Sequence, residues 1–413
     1  MKSHFLFALL FVNALFGFSQ LRIDTSQTAD ELIRSVLLQS NSDLIIENVI
    51  YRGSKASIGA FENETKEAIM EAGIILSTGN VFDAMGPNQL KNTGSRSSGF
   101  RDTQLQSISN GLVLDVASIE FDLIALRDSL VFEYVFASEE YPEYVDKGVN
   151  DVFAFFIKES GKERLVPRNI ARLPNSNATV SIDNVNHRRN ESYFLPSDFY
   201  HIHDADFWEH YPDMMLRSRI FEFDGFTKNL KATVQLKEGK RYHLKIAIAD
   251  VGDRYYDSAV LLKAYSLSSA GKLIANADSI VGQFIAEKVE SIVSNKFVPK
   301  SHLSYSIPIQ FDTDKAEILN VSLPILNSVV ELLQNFSDLK VDLVGHTDNV
   351  GELEDNQQLS ELRANAVRHY IIQQGIASER IMAEGRGESQ PISSNQTESG
   401  RAANRRVEFN FSY

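Results

Sequence analysis

The 413-residue sequence contains no cysteine. This absence excludes structural disulfides, thiolate chemistry and lipidation at an N-terminal cysteine, so the fold depends on core packing alone. Beyond the N-terminus, no stretch reaches the roughly 18 uninterrupted apolar residues typical of a membrane-spanning helix. The sequence also lacks a Gly-x-Ser-x-Gly turn and a glycine-rich phosphate loop, so two common enzyme motifs are missing.

Acidic residues outnumber basic ones: the sequence has 55 Asp and Glu and 41 Lys and Arg, which gives a formal net charge of -14. Phosphate contacts require a basic surface, so we expect no nucleic-acid partner. An acidic protein can instead bind divalent cations or basic partners. The 43% content of hydrophobic residues is ordinary for a globular protein, and the length allows two or three domains.

The N-terminus has a basic start, a short apolar run and small or polar residues at its exit. Met1-Lys2-Ser3-His4 precedes the apolar run, which extends from Phe5 to Phe18. This pattern predicts a secretory signal peptide over residues 1–20, cleaved near Ser19 or Gln20. The alternative is an N-terminal anchor helix, for which the run is short. We therefore expect the protein to be exported.

The last hundred residues alternate between strand-like and helix-like patterns. Period-2 segments predict strands, and apolar residues at helical spacing predict helices, with Ser322 as an N-cap and Gly375 as a helix stop. The predicted elements are strands over residues 307–311, 340–345, 381–384 and 406–411 and helices over residues 322–336 and 358–374. Together they predict an α/β sandwich with helices on one face of a small mixed sheet.

An acid on a turn and a base on the following helix stand out in this region. Asp348 follows a predicted strand, and Arg363 lies at the edge of the helix's apolar stripe. A guanidinium binds a carboxylate through two parallel hydrogen bonds, which lysine cannot copy. The pair can converge on one small zwitterion, which favours an anchor over a catalyst. Alternatively, Asp348 only stabilises its turn and Arg363 only solvates a helix face.

Several separated segments resemble, in order, the OmpA-like peptidoglycan-binding domain over about residues 307–411. They are residues 309–314, Gly345-His346-Thr347-Asp348-Asn349-Val350-Gly351, residues 359–364, Gly385-Arg386-Gly387-Glu388 and Asn404-Arg405-Arg406-Val407-Glu408. The resemblance implies that Asp348 and Arg363 hold the ammonium and carboxylate of diaminopimelate in the peptidoglycan stem peptide. It also implies pocket positions at Phe311, Asp312, Thr313, Asn356, Leu359 and Arg406.

Residues 21–265 are rich in short, alternating β-branched and aromatic runs that are separated by turn residues. They predict a mainly β domain, a jelly-roll-like sandwich, with a weaker helix near residues 28–39. Several segments resemble the choice-of-anchor L domain of exported bacterial proteins. They are residues 76–80, 83–88, 136–144, 150–156, 182–186, 223–227, 249–253 and 256–260. The resemblance implies a passenger joined to a surface anchor, and it specifies no ligand.

Two groups of residues in this domain, one acidic and one of histidines, could bind metal ions. Acidic residues on predicted loops are hard oxygen donors of the kind that calcium prefers, although they can equally cap turns. The predicted calcium ligands are Glu139, Glu140, Asp151, Asp250, Asp253 and Asp257. His201, His203 and His210 lie in an aromatic segment and predict either a zinc site or a surface loop that packs its aromatic side chains.

Residues 266–300 predict a linker, with a flexible break over 267–272 and an amphipathic helix over 275–294 that acts as a spacer, a brace or a dimer contact. The anchor domain then occupies residues 301–413. The sequence predicts a non-enzymatic, exported protein of a Gram-negative envelope, periplasmic and associated with the cell wall and outer membrane. Expected partners are peptidoglycan and surface proteins or glycans. The alternatives are a wall-attached metal-dependent hydrolase and an adhesin or structural link.

Overall fold

The computed structural model describes most of two domains. The described residues are 21–39, 42–63, 69–88, 94–95, 100–148, 150–162, 164–174, 176, 178–197, 213–237, 239–252, 255–273, 280, 303–307, 309, 311, 315–319, 322–392, 395, 401 and 404–412. The predicted signal peptide, the His201–His210 segment and almost all of the predicted linker helix lie outside this set. So do Asp253, Asp312 and Thr313.

Two antiparallel sheets build the N-terminal domain. The nine-stranded sheet contains β1 (Leu21–Asp24), β3 (Ile58–Asn63), β4 (Ala72–Ser77), β6 (Arg127–Ser138), β9 (Phe194–Pro196), β10 (Gly225–Thr227), β11 (Leu230–Gln235), β13 (Ser258–Lys263) and β14 (Ser268–Leu273). The five-stranded sheet contains β2 (Leu44–Arg52), β5 (Val113–Ala125), β7 (Val152–Glu159), β8 (Arg168–Asn169) and β12 (Arg241–Val251). The mainly β fold that the sequence predicts is confirmed.

The main core lies between these two sheets. Side chains two apart on a strand point to the same face, so Phe132, Tyr134 and Phe136 of β6 form one row. The ring of Phe132 lies 4.8 Å from that of Phe155 on β7, and the rings of Phe136 and Phe153 stack at 5.2 Å. Each buried aromatic contributes roughly 1.5–3 kcal/mol through transfer from water. This cross-sheet packing holds the sandwich together without disulfides.

The described part of the N-terminal domain contains three short α-helices: α1 (Ala29–Glu31, continuing as a π-helix over Leu32–Leu37), α2 (Thr103–Ile108) and α3 (Met214–Ile220). The predicted helix near residues 28–39 is therefore confirmed. Thr28 and Glu31 form a reciprocal capping box at its start. Within the described part of the chain, no helix is both long and apolar enough to cross a membrane.

The predicted flexible break at residues 267–272 is wrong. These residues form the connection into β14 and β14 itself, which pairs antiparallel with β6 from Ser268 opposite Val131 to Leu273 opposite Arg127. Small side chains allow this close pairing: a Cβ at Gly271 would collide with the Asp128 carboxylate. Ser269 Oγ also accepts a hydrogen bond of 2.9 Å from the Arg127 backbone N–H. The β-domain thus extends at least to Leu273.

The C-terminal domain has a four-stranded sheet in the order β15 (Leu303–Ile307), β18 (Val407–Ser412), β16 (Lys340–Gly345) and β17 (Ile381–Gly385). The β16–β17 pair is parallel and the other pairs are antiparallel. Helices α4 (Leu323–Asn335) and α5 (Leu353–Gln373) contribute Leu333, Val367 and other apolar residues to the core that the sheet lines. The predicted small mixed sheet with helices is confirmed.

Some boundaries differ from the prediction. Helix α5 begins at Leu353, five residues before the predicted start, and ends before Gly375, whose φ of +92° suits a helix stop. The strand predicted over residues 307–311 lies earlier, as β15, and Phe311 forms only an isolated bridge with Ile318. Ser322 occupies the N-cap position of α4, but its side chain makes no capping hydrogen bond.

Candidate functional site

The site is built where β16 ends against the first turns of α5. A Cβ at Gly345 would collide with the Ser360 carbonyl oxygen, and one at Gly385 would collide with the Glu361 backbone nitrogen. Glycine at both positions therefore lets the helix lie directly on the two parallel strands. The following loop is fixed by backbone bonds, from His346 N–H to the Arg406 carbonyl and from Thr347 N–H to the Gly387 carbonyl, both 2.9 Å.

Asp348 lies on this fixed loop and is only 7% exposed. Its Oδ1 accepts a hydrogen bond of 3.0 Å from the Val350 backbone N–H. Its Oδ2 lies 2.5 Å from Nη1 of Arg405. Asp348 therefore does stabilise its turn, as the alternative interpretation predicts, but it uses only one carboxylate oxygen to do so. The second oxygen engages a cation, which is the chemistry expected of an ammonium site.

Arg363 lies on the third turn of α5 and is also 7% exposed. Its Nε donates to the Lys315 carbonyl at 3.1 Å, and its guanidinium carbon lies 5.2 Å from the centre of the Phe311 ring. A cation over an aromatic face is attracted to the ring's quadrupole. The structure thus brings together Arg363 and Phe311, two of the predicted pocket residues. The solvated-helix-face alternative does not fit so buried an arginine.

Two further predicted site residues, Asn356 and Leu359, lie in the first two turns of α5. The Asn356 amide donates to a Glu388 carboxylate oxygen at 2.7 Å, and the side chain is buried. Ser360 Oγ accepts a hydrogen bond of 2.9 Å from Gly387 N–H. Leu359 is half-buried. These bonds tie α5 to the loop after β17, so Asn356 positions the helix that carries Arg363.

Arg406 does not contact Asp348. Its guanidinium donates to Glu408 Oε1 at 2.8 and 2.5 Å, and His346 Nε2 lies 3.5 Å from the same oxygen. These neighbours lower the pKa of Glu408 to about 2. The neighbouring Arg405 is instead the arginine that reaches Asp348. The sequence motif contains both arginines, but the site prediction named Arg406 and neither Arg405 nor Glu388.

The predicted calcium ligands cluster at one end of the β-sandwich. The five of them that the structure describes are buried: Glu139, Glu140, Asp151, Asp250 and Asp257. Asp151 links the two sheets, because Oδ1 accepts from Val251 N–H at 3.0 Å and Oδ2 accepts from Ser258 Oγ at 2.7 Å. Among the described residues, no three acidic or histidine side chains are arranged to hold a metal ion.

Burial and the neighbouring acids raise the pKa of two carboxyl groups in this cluster. Burial raises the pKa of Asp257 to about 8, and it raises the pKa of Asp250 well above its usual range, with Asp151 adding to that shift. A Cβ at Gly79 would overlap the Asp257 carboxylate, so only glycine leaves room for that side chain. In Asp250 and Asp257, burial thus favours the protonated carboxyl, and the calcium prediction gains no support from the described acids.

Comparison with known proteins divides the chain into the same two parts. The family model of the choice-of-anchor L domain matches residues 21–268, which is more than half of the chain. The model of the OmpA family matches residues 310–405. The second match contains Asp348, Arg363 and Arg405.

Known relatives match the C-terminal part. The chain is 39% identical over 103 residues to outer membrane porin F of Pseudomonas aeruginosa, covering 25% of this chain and 29% of that protein. It is 42% identical over 101 residues to the peptidoglycan-binding protein ArfA of Mycobacterium tuberculosis, covering 24% and 31%. The chain therefore spans less than a third of either relative. A solved cell wall anchor of the T6SS from P. aeruginosa is 27% identical, with 32% and 97% covered and a TM-score of 0.26.

Proposed function

This chain belongs to the family of the choice-of-anchor L domain, and from that premise we propose that its C-terminal domain anchors it non-covalently to peptidoglycan. The observation that supports the proposal is that two oppositely charged groups, Asp348 on the loop after β16 and Arg363 on α5, are both buried. Relatives whose matched region is this domain include a protein named for peptidoglycan binding.

The proposed ligand group is diaminopimelate of the stem peptide. Its side-chain end carries both an ammonium and a carboxylate, which match the charges of Asp348 and Arg363. Arg363 is pre-organised by the Phe311 ring and the Lys315 carbonyl, so little side-chain freedom is lost when its fork binds a carboxylate. A buried site also strengthens such charge-assisted bonds relative to an exposed one.

The β-domain is then a non-enzymatic passenger that the anchor retains in the cell envelope, exported to the periplasm beside the wall and outer membrane. It presents a binding or adhesion surface to envelope proteins or glycans. Its sheets and buried acids give it a rigid frame, and its ligand is to be found by screening the full chain against envelope glycans and proteins. Zinc bound in stoichiometric amount through residues 201–210 would instead favour the hydrolase alternative.

The anchoring proposal is tested by sedimentation of the full chain with diaminopimelate-containing sacculi. Asp348→Asn keeps an acceptor for Val350 but removes the charge, so we expect roughly tenfold to hundredfold weaker binding, equivalent to about 1.5–3 kcal/mol. Asp342→Asn is the matched control, because Asp342 is an exposed acid on β16. Equal retention of both variants and the wild type would refute the proposal.

A lysine substitution separates recognition of a carboxylate from general electrostatics. Arg363→Lys keeps the charge but loses the planar fork, so it should bind a stem peptide poorly in a calorimetric titration. The control is Arg368→Lys, because Arg368 lies on the same helix and also donates from Nε to a carbonyl, that of Ile381. Circular dichroism verifies the fold. Wild-type affinity in a folded Arg363→Lys variant contradicts bidentate recognition of diaminopimelate.

A further inference from the structure

Arg405 holds the oxygen of Asp348 that a ligand ammonium needs. The two side chains come from positions 57 residues apart, and their 2.5 Å contact joins Arg405 Nη1 to Asp348 Oδ2. The other oxygen already accepts from Val350. Both carboxylate oxygens therefore have a donor within the protein, and an arriving ammonium meets a site whose charge is already balanced.

The two partners differ in their freedom to move. The Asp348 side chain is 9% exposed and fixed by its turn, whereas the Arg405 side chain is 36% exposed. Arg363, by contrast, is buried and held by Lys315 and Phe311. Of the two arginines, Arg405 is thus the more exposed, and its guanidinium is the one that water can reach.

We propose that Arg405 is an internal competitor for the ligand ammonium: it pairs with Asp348 in the empty site and swings away on binding. The inference rests on the proposed function. The empty site avoids the cost of an unpaired buried carboxylate, and weak binding by lone amines is suppressed. Apparent affinity falls in proportion to the fraction of molecules in which Arg405 occupies the acid.

The test is calorimetry on the full chain with two synthetic stem peptides. Both end in diaminopimelate, and one has its side-chain carboxylate amidated. Arg405→Gln should bind both peptides about twofold to fivefold more tightly, the range expected when a partly exposed ion pair no longer competes. Arg386→Gln is the control for loss of positive charge, because Arg386 pairs with the exposed Glu384 and not with Asp348. It should bind like the wild type.

Other outcomes are equally informative. Weaker binding of the free-carboxylate peptide alone would identify Arg405 as a second carboxylate clamp, and unchanged binding of both would show that it does not compete. Either result overturns the inference. If Arg405→Gln fails to fold, Arg405→Lys keeps a cation and should bind at least as tightly as the wild type; weaker binding contradicts competition. Asp348→Asn is titrated alongside: if it binds like the wild type, the proposed function itself fails, whatever Arg405 does.

Discussion

Ser258 on one sheet of the β-sandwich donates a hydrogen bond from Oγ to Asp151 Oδ2 at the start of β7 on the other sheet, over 2.7 Å. Both residues are almost completely buried. The same hydroxyl lies 2.9 Å from Ser138 Oγ at the end of β6. One serine hydroxyl therefore connects the ends of three strands, and this contact stabilises the end of the domain where the buried acids lie.

Ser258→Ala should lower the free energy of unfolding of the β-domain by about 1–3 kcal/mol, because the substitution leaves a buried carboxylate oxygen without this donor. Urea unfolding followed by far-UV circular dichroism measures the change. Ser107→Ala, at an exposed position on α2, should stay within about 0.5 kcal/mol of the wild type. Equal stability of the two variants would show that the cross-sheet bond contributes nothing.

Asp257 makes stability depend on pH. Burial raises its pKa from the usual 3.8 to about 8, so between these values the folded state holds a proton that the unfolded state has released. Stability from this group is present at low pH and is lost as pH rises through about 8. Asp257→Asn has no such proton to lose, and it should gain more than about 1 kcal/mol relative to the wild type between pH 5 and pH 9.

Urea midpoints of wild type and Asp257→Asn, measured across this pH range in EDTA, test the dependence on Asp257. The chelator removes any contribution from bound divalent cations. Asp342→Asn is the exposed control and should follow the wild-type curve. A difference between Asp257→Asn and wild type that stays constant from pH 5 to pH 9 would contradict a raised pKa.

Arg380 closes the end of α4. Its Nη2 donates to the carbonyls of Leu333, Phe336 and Leu339 at 2.6–2.7 Å, and its Nε donates to Leu339 at 2.9 Å. Helix ends leave carbonyls without intrahelical donors, and a cation there also suits the helix dipole. Arg380→Met should therefore destabilise the C-terminal domain by about 1.5–3 kcal/mol.

Thermal unfolding, with the transition of each domain resolved by calorimetry, measures the effect of Arg380→Met. Arg386→Met is the control, because Arg386 is exposed and pairs with an exposed acid. It should shift the transition less than Arg380→Met does, since surface ion pairs contribute about 0–1 kcal/mol. A comparable shift in both variants would show that the Arg380 carbonyl contacts are not stabilising.

Periodicity in the sequence was sufficient to predict β16, which has the expected bounds of Lys340–Gly345. Hydrophobic periodicity did not predict the first turn of α5. This turn has no buried apolar stripe, because its leucine, Leu353, is 72% exposed. The first turn instead contains Glu354 and Asp355, whose negative charges interact favourably with the positive end of the helix dipole. It also missed β14, whose small polar residues resemble a linker until their register with β6 is known.

For the site, chemistry and spacing predicted Asp348 and Arg363 as ligand-binding residues. The structure adds that both are buried and that Arg363 lies over the Phe311 ring, and their role in binding stays a prediction. Spacing alone could not choose between Arg405 and Arg406. The choice depends on which of the two guanidinium groups faces the Asp348 loop, and only the tertiary contacts of the segment before β18 show that. The competition at Asp348 was likewise out of reach, because it involves contact between residues distant in sequence.

The order of strands in the C-terminal sheet has a consequence for biogenesis. β18 lies between β15 and β16, and Arg405 lies two residues before it. A ribosome or export channel that has released everything up to residue 400 has delivered three strands but not the one that joins β15 to the rest. The domain therefore cannot assemble during synthesis of its earlier parts. The C-terminal sheet is therefore completed last, after every strand of the β-domain has been synthesised.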